Sequence, residues 1–165
     1  MAAPTWTTGE VLYAADVNAW FVPLVGLKTA DLGRTGTNLV VDPDLQFNLV
    51  AGSQYEIRAA IFYKCSGTTS SFQWGWVVPA GSSAGLYHAN YKGLSGGIVI
   101  EADMWTDSAH QGYVNTANFI YSIDIIGTID AGSTGGTFGL TWAAYTAGNT
   151  ITVCARSHIT ARRIA

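Results

Sequence analysis

The chain has 165 residues, of which 48% are hydrophobic and 12% charged, with a formal net charge of −3; soluble domains average about 25% charged. Such a length suits one domain that buries about two-thirds of its unfolded surface, so neither disulfides nor a metal is required. The basic residues are scattered and only Arg162-Arg163 adjoin, which leaves no stripe for nucleic acid, and no run of about 18 apolar residues spans a membrane. So little charge also leaves much surface to be covered by copies of the chain or by a partner. No basic n-region precedes an apolar stretch at the N-terminus, so synthesis and assembly in the cytoplasm is the expectation.

One segment reads as helix. Val17, Trp20, Phe21 and Leu24 recur at i, i+3, i+4 and i+7, and Pro23 limits the helix to about two turns. A helix that short is marginal in water, so its Trp20-Phe21 face must dock on something. The expected division is an arm with a short helix over 1–26 and a β domain over 27–165.

From Thr37 onward the period becomes two. Tyr55, Ile57, Ala59, Ile61 and Tyr63 share one face, as do Phe119, Tyr121, Ile123, Ile125 and Ile129. Phe138, Leu140, Trp142 and Ala144 repeat the pattern, followed by Ile151, Val153, Ala155, Ser157 and Ile159. Gly/Ser/Pro breaks at Gly52-Ser53, Ser66-Gly67, Pro79-Gly81, Gly96-Gly97, Gly132-Gly136 and Gly148-Asn149 separate these runs at strand-length intervals. The expected fold is all-β: an antiparallel β-sandwich or jelly roll of roughly eight or nine strands, with a short N-terminal arm and helix.

Few groups point to chemistry. Gly81-Ser82-Ser83-Ala84-Gly85 matches G-x-S-x-G, but Pro79 precedes it and no helical run follows, so a hairpin loop fits better than a nucleophile elbow. His88, His110 and His158 lack metal-ligand spacing, and Asp42-Pro43-Asp44 reads as a turn leading into a strand. Neither a cofactor, a metal nor a catalytic site is expected. Cys65 and Cys154 lie in apolar runs, where cysteine acts as a small hydrophobe. Among six tryptophans and eight tyrosines, Phe72, Trp74 and Trp76 share one strand face and read as core. Tyr87, Tyr91, Trp105 and Tyr113 read instead as loop aromatics exposed for surface or receptor contacts, since flat rings suit a sugar or a partner.

The rest comes from a resemblance. Trp6-Thr7-Thr8-Gly9-Glu10-Val11-Leu12-Tyr13-Ala14-Ala15-Asp16-Val17-Asn18 resembles the W-x-x-G-E/D-V-L/V-T-A-A-x-L-N opening of minor tail and tail-fibre proteins of tailed phages, especially phages of actinobacteria. Lys28-Thr29-Ala30-Asp31 is similar to the K-T-A-D start of that family's β domain, and Phe72 to Gly81 to its strand-and-turn with V-P-x-G. Gly136-Thr137-Phe138-Gly139-Leu140-Thr141-Trp142-Ala143 and Ala161-Arg162-Arg163-Ile164-Ala165 are similar to its close. Tyr13 departs from the family's threonine and cannot cap the helix as threonine would. The segment between helix and β domain is also shorter than in relatives.

The resemblance implies a non-enzymatic virion component that works as a homo-oligomer, a trimer, beside other tail or capsid proteins. The N-terminal segment is too apolar for a free tail, so Trp6, Val17, Trp20, Phe21 and Leu24 are expected to anchor it to the virion. A capsid decoration protein is one alternative, and a carbohydrate-binding receptor module with a host cell-surface glycan as partner is another.

Overall fold

A computed structural model of the chain describes residues 7–11, 13, 14, 17, 18, 22–68, 70–82, 85–92, 98–105 and 109–165. The expected anchoring residues Trp6, Trp20 and Phe21, and also Ser83, lie outside the described residues. Within them run twelve strands: β1 (Leu24–Leu27), β2 (Leu32–Arg34), β3 (Val40–Leu49), β4 (Gln54–Cys65), β5 (Phe72–Val77), β6 (Leu86–Lys92), β7 (Ile98–Met104), β8 (His110–Gly112), β9 (Tyr121–Asp130), β10 (Gly136–Ala144), β11 (Ile151–Val153) and β12 (His158–Arg163).

They form two antiparallel sheets. The larger runs β1-β12-β4-β9-β6-β7, with β11 continuing beside the far half of β4 and β2 beside β11. The smaller runs β3-β10-β5-β8. The fold is therefore an all-β sandwich, as the period-two runs require. It has more strands than the eight or nine expected, because β1, β2, β8 and β11 are three or four residues long and too short to show a period.

The core lies between the sheets. From the larger come Tyr55, Ile57, Ile61 and Tyr63 of β4 and Ile123, Ile125 and Ile129 of β9. Facing them are Phe72 and Trp74 of β5 and Phe138, Leu140 and Trp142 of β10, all fully buried. Cys65 and Cys154 are free, buried thiols, in keeping with the sequence reading. Burial pushes the Cys154 thiol up from its ordinary value.

Two long runs are altered. Phe119 was expected on the inner face with Tyr121, but it is 58% exposed. It follows a turn in which Asn118 takes a positive φ of 59° and the Phe119 N–H donates to the Thr116 carbonyl; the strand begins only at Tyr121. The run from Ile151 to Ile159 is broken between β11 and β12 at Cys154–Ser157. Here Arg156 takes φ +73°, and the Ser157 hydroxyl accepts the Phe62 N–H at 2.9 Å and donates to the Cys154 carbonyl at 2.8 Å. The serine thus replaces part of the ladder lost at the jog.

The chain enters the sandwich earlier than the expected boundary at residue 27. Leu24 was assigned to the helical face, yet it opens β1 and pairs with Ala161 of β12. Pro23 is the reason: the residues after it leave helical geometry and extend along the sheet edge. A helical turn does exist upstream, where the Val17 N–H donates to the Tyr13 carbonyl at 3.1 Å. Before it, Gly9 at φ +90° closes a turn in which the Thr7 N–H and hydroxyl both donate to the Glu10 carboxylate.

Candidate functional site

Two polar constructions stand out, one buried and one exposed. In the buried one, Lys28 Nζ donates to Asp42 Oδ1 at 3.1 Å and to Asp44 Oδ2 at 2.9 Å, with Lys28 1% and Asp42 0% exposed. Asp42 also accepts the N–H groups of Asp44 and Leu45 and the Trp142 indole N–H at 2.8 Å. Asp42-Pro43-Asp44 is not the simple turn its sequence suggests. It is a bulge within β3, marked by the register shift opposite Gly139 to Thr141 of β10. Pro43 is tolerated there because β3 is an edge strand.

Neighbouring contacts hold the same region. The Arg34 guanidinium lies 4.1 Å from the centre of the Trp142 ring and donates to the carbonyls of Val40, Val41 and Trp142. Asp31 accepts from Lys64 and from the Ala155 N–H, and these two bonds hold its carboxyl below its ordinary value. Every charge here is satisfied internally, so the hub is structural.

The exposed construction is the outer face of the larger sheet. Register aligns His158, Ala60, Asp124 and Asn90 across β12, β4, β9 and β6, and beside them Thr160, Arg58, Ile126 and His88. Ala60 is the short residue among longer neighbours. A depression of about 400 Å³ opens over it, lined by Arg58, His88, Asn90, Asp124, Ile126 and His158. Arg58 Nε donates to Glu56 at 2.6 Å and Arg162 donates to the same carboxylate at 2.8 Å, which holds Glu56 below its ordinary value. Among the described residues, no group of three or more His, Cys, Asp or Glu is placed to hold a metal ion.

The aromatics expected at the surface lie elsewhere. Tyr87 and Tyr91 belong to β6 and Trp105 follows β7; all three are buried, and Tyr113 is half-buried. Tyr87, Tyr91 and Trp105 form part of an aromatic cluster between the sheets. Trp105 packs on Tyr87 at 4.5 Å and on Trp76 at 5.0 Å, and Trp74 packs on His110 at 4.7 Å. The Tyr87 hydroxyl lies 2.6 Å from His110 Nε2, and the Trp105 indole donates to the Thr128 carbonyl. The flanking glycines made β6 look like loop. The alternation Tyr87, Ala89, Tyr91 against His88 and Asn90 was the signal of a strand face. Those intervening polar residues, His88 and Asn90, are the surface groups the sequence reading missed.

Of the other residues expected to anchor the chain, Val17 is half-buried on its helical turn and Leu24 is in β1. A hollow of about 100 Å³ between Asn18, Val22, Leu24, Val50, Tyr55 and Arg163 marks where the arm meets the sandwich.

With the fold defined as a two-sheet antiparallel sandwich, comparison with known proteins adds little. No family model matches the chain, and no curated protein does. The tripod from the baseplate of bacteriophage Tuc2009 superposes with a TM-score of 0.35 and 12% identity, over 99% of this chain and 75% of that one. A chain of infectious bursal disease virus, Gt strain, gives 0.19 and 13% over 100% of this chain and 43% of that one. Superpositions this loose do not identify a shared function.

Proposed function

We propose that the chain is a non-enzymatic structural component of a tailed-phage virion, a surface or minor tail protein assembled as a homotrimer. The observation that carries the reading is the meeting of the family-like segments at one point. Lys28 of the K-T-A-D-like start and Trp142 of the closing segment both bind Asp42, although they stand far apart in sequence. Short chance matches have no reason to converge on one buried hub. The non-enzymatic part rests on the turn that leads into the G-x-S-x-G stretch, where the Ser82 N–H and hydroxyl both donate to the Pro79 carbonyl. Its last glycine answers a packing need, because a Cβ on Gly85 would overlap the Thr128 carbonyl oxygen.

The trimer contact is assigned to the outer face of the smaller sheet. Thr137 and Thr141 of β10, with Gln73 and Val77 of β5, are partly exposed on the face opposite Phe138, Leu140, Trp142, Phe72 and Trp74, while Gly75, Gly139 and Ala143 of the same face are covered within the chain. Not one of these outward residues is charged. A flat uncharged face is a liability on a monomer and suits a permanent interface of about 1,000 Å² or more. Anchoring is assigned to the arm. Because β1 belongs to the sandwich, the cut that separates arm from domain falls before Pro23.

Particles produced with the full chain are expected to contain it, and deletion of residues 1–22 is expected to give a folded protein absent from particles. Normal incorporation of that deletion would overturn the anchor. Native mass spectrometry of the full chain is expected to give a trimer that Gln73→Lys with Thr141→Lys dissociates. A monomer at micromolar concentration would overturn the assembly. Ser83→Ala is expected to leave infectivity unchanged, and its loss in a folded protein would restore the case for catalysis.

A further inference from the structure

We infer that the depression over Ala60, on the outer face of the larger sheet, binds one unit of a neutral saccharide. The site is separate from the face assigned to trimer contacts and does not depend on the virion reading.

Its size of about 400 Å³ falls within the usual range of small-molecule sites, about 300–1,000 Å³. His158 and Asn90 flank it three strands apart, ~14 Å between backbones at ordinary strand spacing. The floor is apolar, made by Ala60 and Ile126, and suits the C–H face of a sugar ring. Around that floor stand groups that keep bonding capacity to spare among the described residues. Arg58 uses Nε on Glu56, which leaves both Nη groups to donate. Asp124 can accept two hydroxyls, and Asn90 and His88 each offer a donor and an acceptor. Mixed donors and acceptors around an apolar floor match a polyol, whose hydroxyls do both.

Other occupants fit less well. An anion would meet the Asp124 carboxylate in the lining, while Glu56 already draws on Arg58 and Arg162. A cation lacks a ligand cluster among the described residues. A second copy of the chain would have to desolvate Asp124, Arg58, His88 and Asn90 together, a costly burial without matched partners.

The test is an amide and imidazole NMR titration of the full chain with the methyl glycosides of glucose, galactose and mannose. Glucuronate and inorganic phosphate form the anionic arm. At least one neutral glycoside is expected to shift His88, His158, Ala60 and Asp124 saturably. Asp124→Ala is expected to weaken binding by about tenfold or more, and Ala60→Phe to abolish it by filling the floor. Asp124→Asn, which keeps the side-chain size, guards against a folding artefact, and Asn38→Ala, at an exposed position outside both sheets, is expected to change nothing. Three results would each overturn the inference: no saturable shift with any neutral glycoside, stronger shifts with phosphate or glucuronate, or shifts at these residues that follow protein concentration alone. The last would mean that a second copy covers the face.

Discussion

Lys28 and Asp42 face each other in a site closed to water, so neither can lose its partner without leaving a buried charge exposed to apolar surroundings. Lys28→Ala is expected to cost about 3–5 kcal/mol in urea denaturation, the usual penalty for breaking a buried ion pair. Trp142→Phe, which keeps a ring but removes the donor to Asp42, is expected to cost about 1–3 kcal/mol. If Lys28→Ala unfolds at the same urea concentration as the parent, the hub contributes nothing. The buried rings were legible in sequence, because Trp74 and Trp142 each sit on a clean alternating face. Asp42 was not. An Asp-Pro-Asp triplet carries turn chemistry, and its burial depends on a lysine 14 residues away that no local pattern links to it. The thiols give a further expectation: Cys154 is buried and its pKa raised, so it should alkylate slowly in the native chain and rapidly in denaturant. Equal rates in both would contradict its burial.

The long strands β4 and β9 announced themselves because each spans ten residues or more of alternating burial, and β10 because large apolar residues recur at every second position from Phe138 to Trp142. The break between β11 and β12 did not, and the reason is arithmetic. Four residues, Cys154 to Ser157, leave the line and return; an even number preserves the phase of the alternation, so Ile151, Val153 and Ile159 still face inward. The jog lets β11 and β12 both lie beside β4, with β2 on the far side of β11 and β1 on the far side of β12. Its geometry sets a test at Arg156, whose φ of +73° is unfavourable for branched side chains. Arg156→Val is expected to lose about 1–2 kcal/mol, whereas Arg156→Gly should stay within about 0.5 kcal/mol of the parent. Equal losses for both would place the role of Arg156 in its side chain instead. The same reading of elements failed for β6, where glycine-rich flanks hid a strand that carries two core tyrosines.

Across the whole molecule the charges are unevenly shared between the two outer faces. Glu56, Arg58, Asp124 and Arg162 lie on the larger sheet, and the outward residues of β5 and β10 have none. Composition alone showed that surface must be covered; only the sheet order shows which face is left bare of charge. The two faces should therefore answer salt differently. An assembly through the smaller sheet is expected to survive high ionic strength, because its contacts carry no charge to screen. Light scattering of the full chain across a salt series checks this, and dissociation on raising salt would move the contact to the charged face.

The place of β12 between β1 and β4 has a consequence for how each copy is made. β12 is the last of the described strands in sequence, yet β1 has no sheet neighbour until it arrives. On the ribosome, then, most of the chain must wait with its larger sheet parted, since closure spans more than 130 residues and such long-range pairing is slow. Nascent chains arrested before His158 are expected to stay protease-sensitive around Leu24–Leu27, and to become resistant once Arg163 has emerged. A polypeptide cut short before β12 would thus be recognisable as unfinished, and proteolysis could remove it before it reached a growing particle.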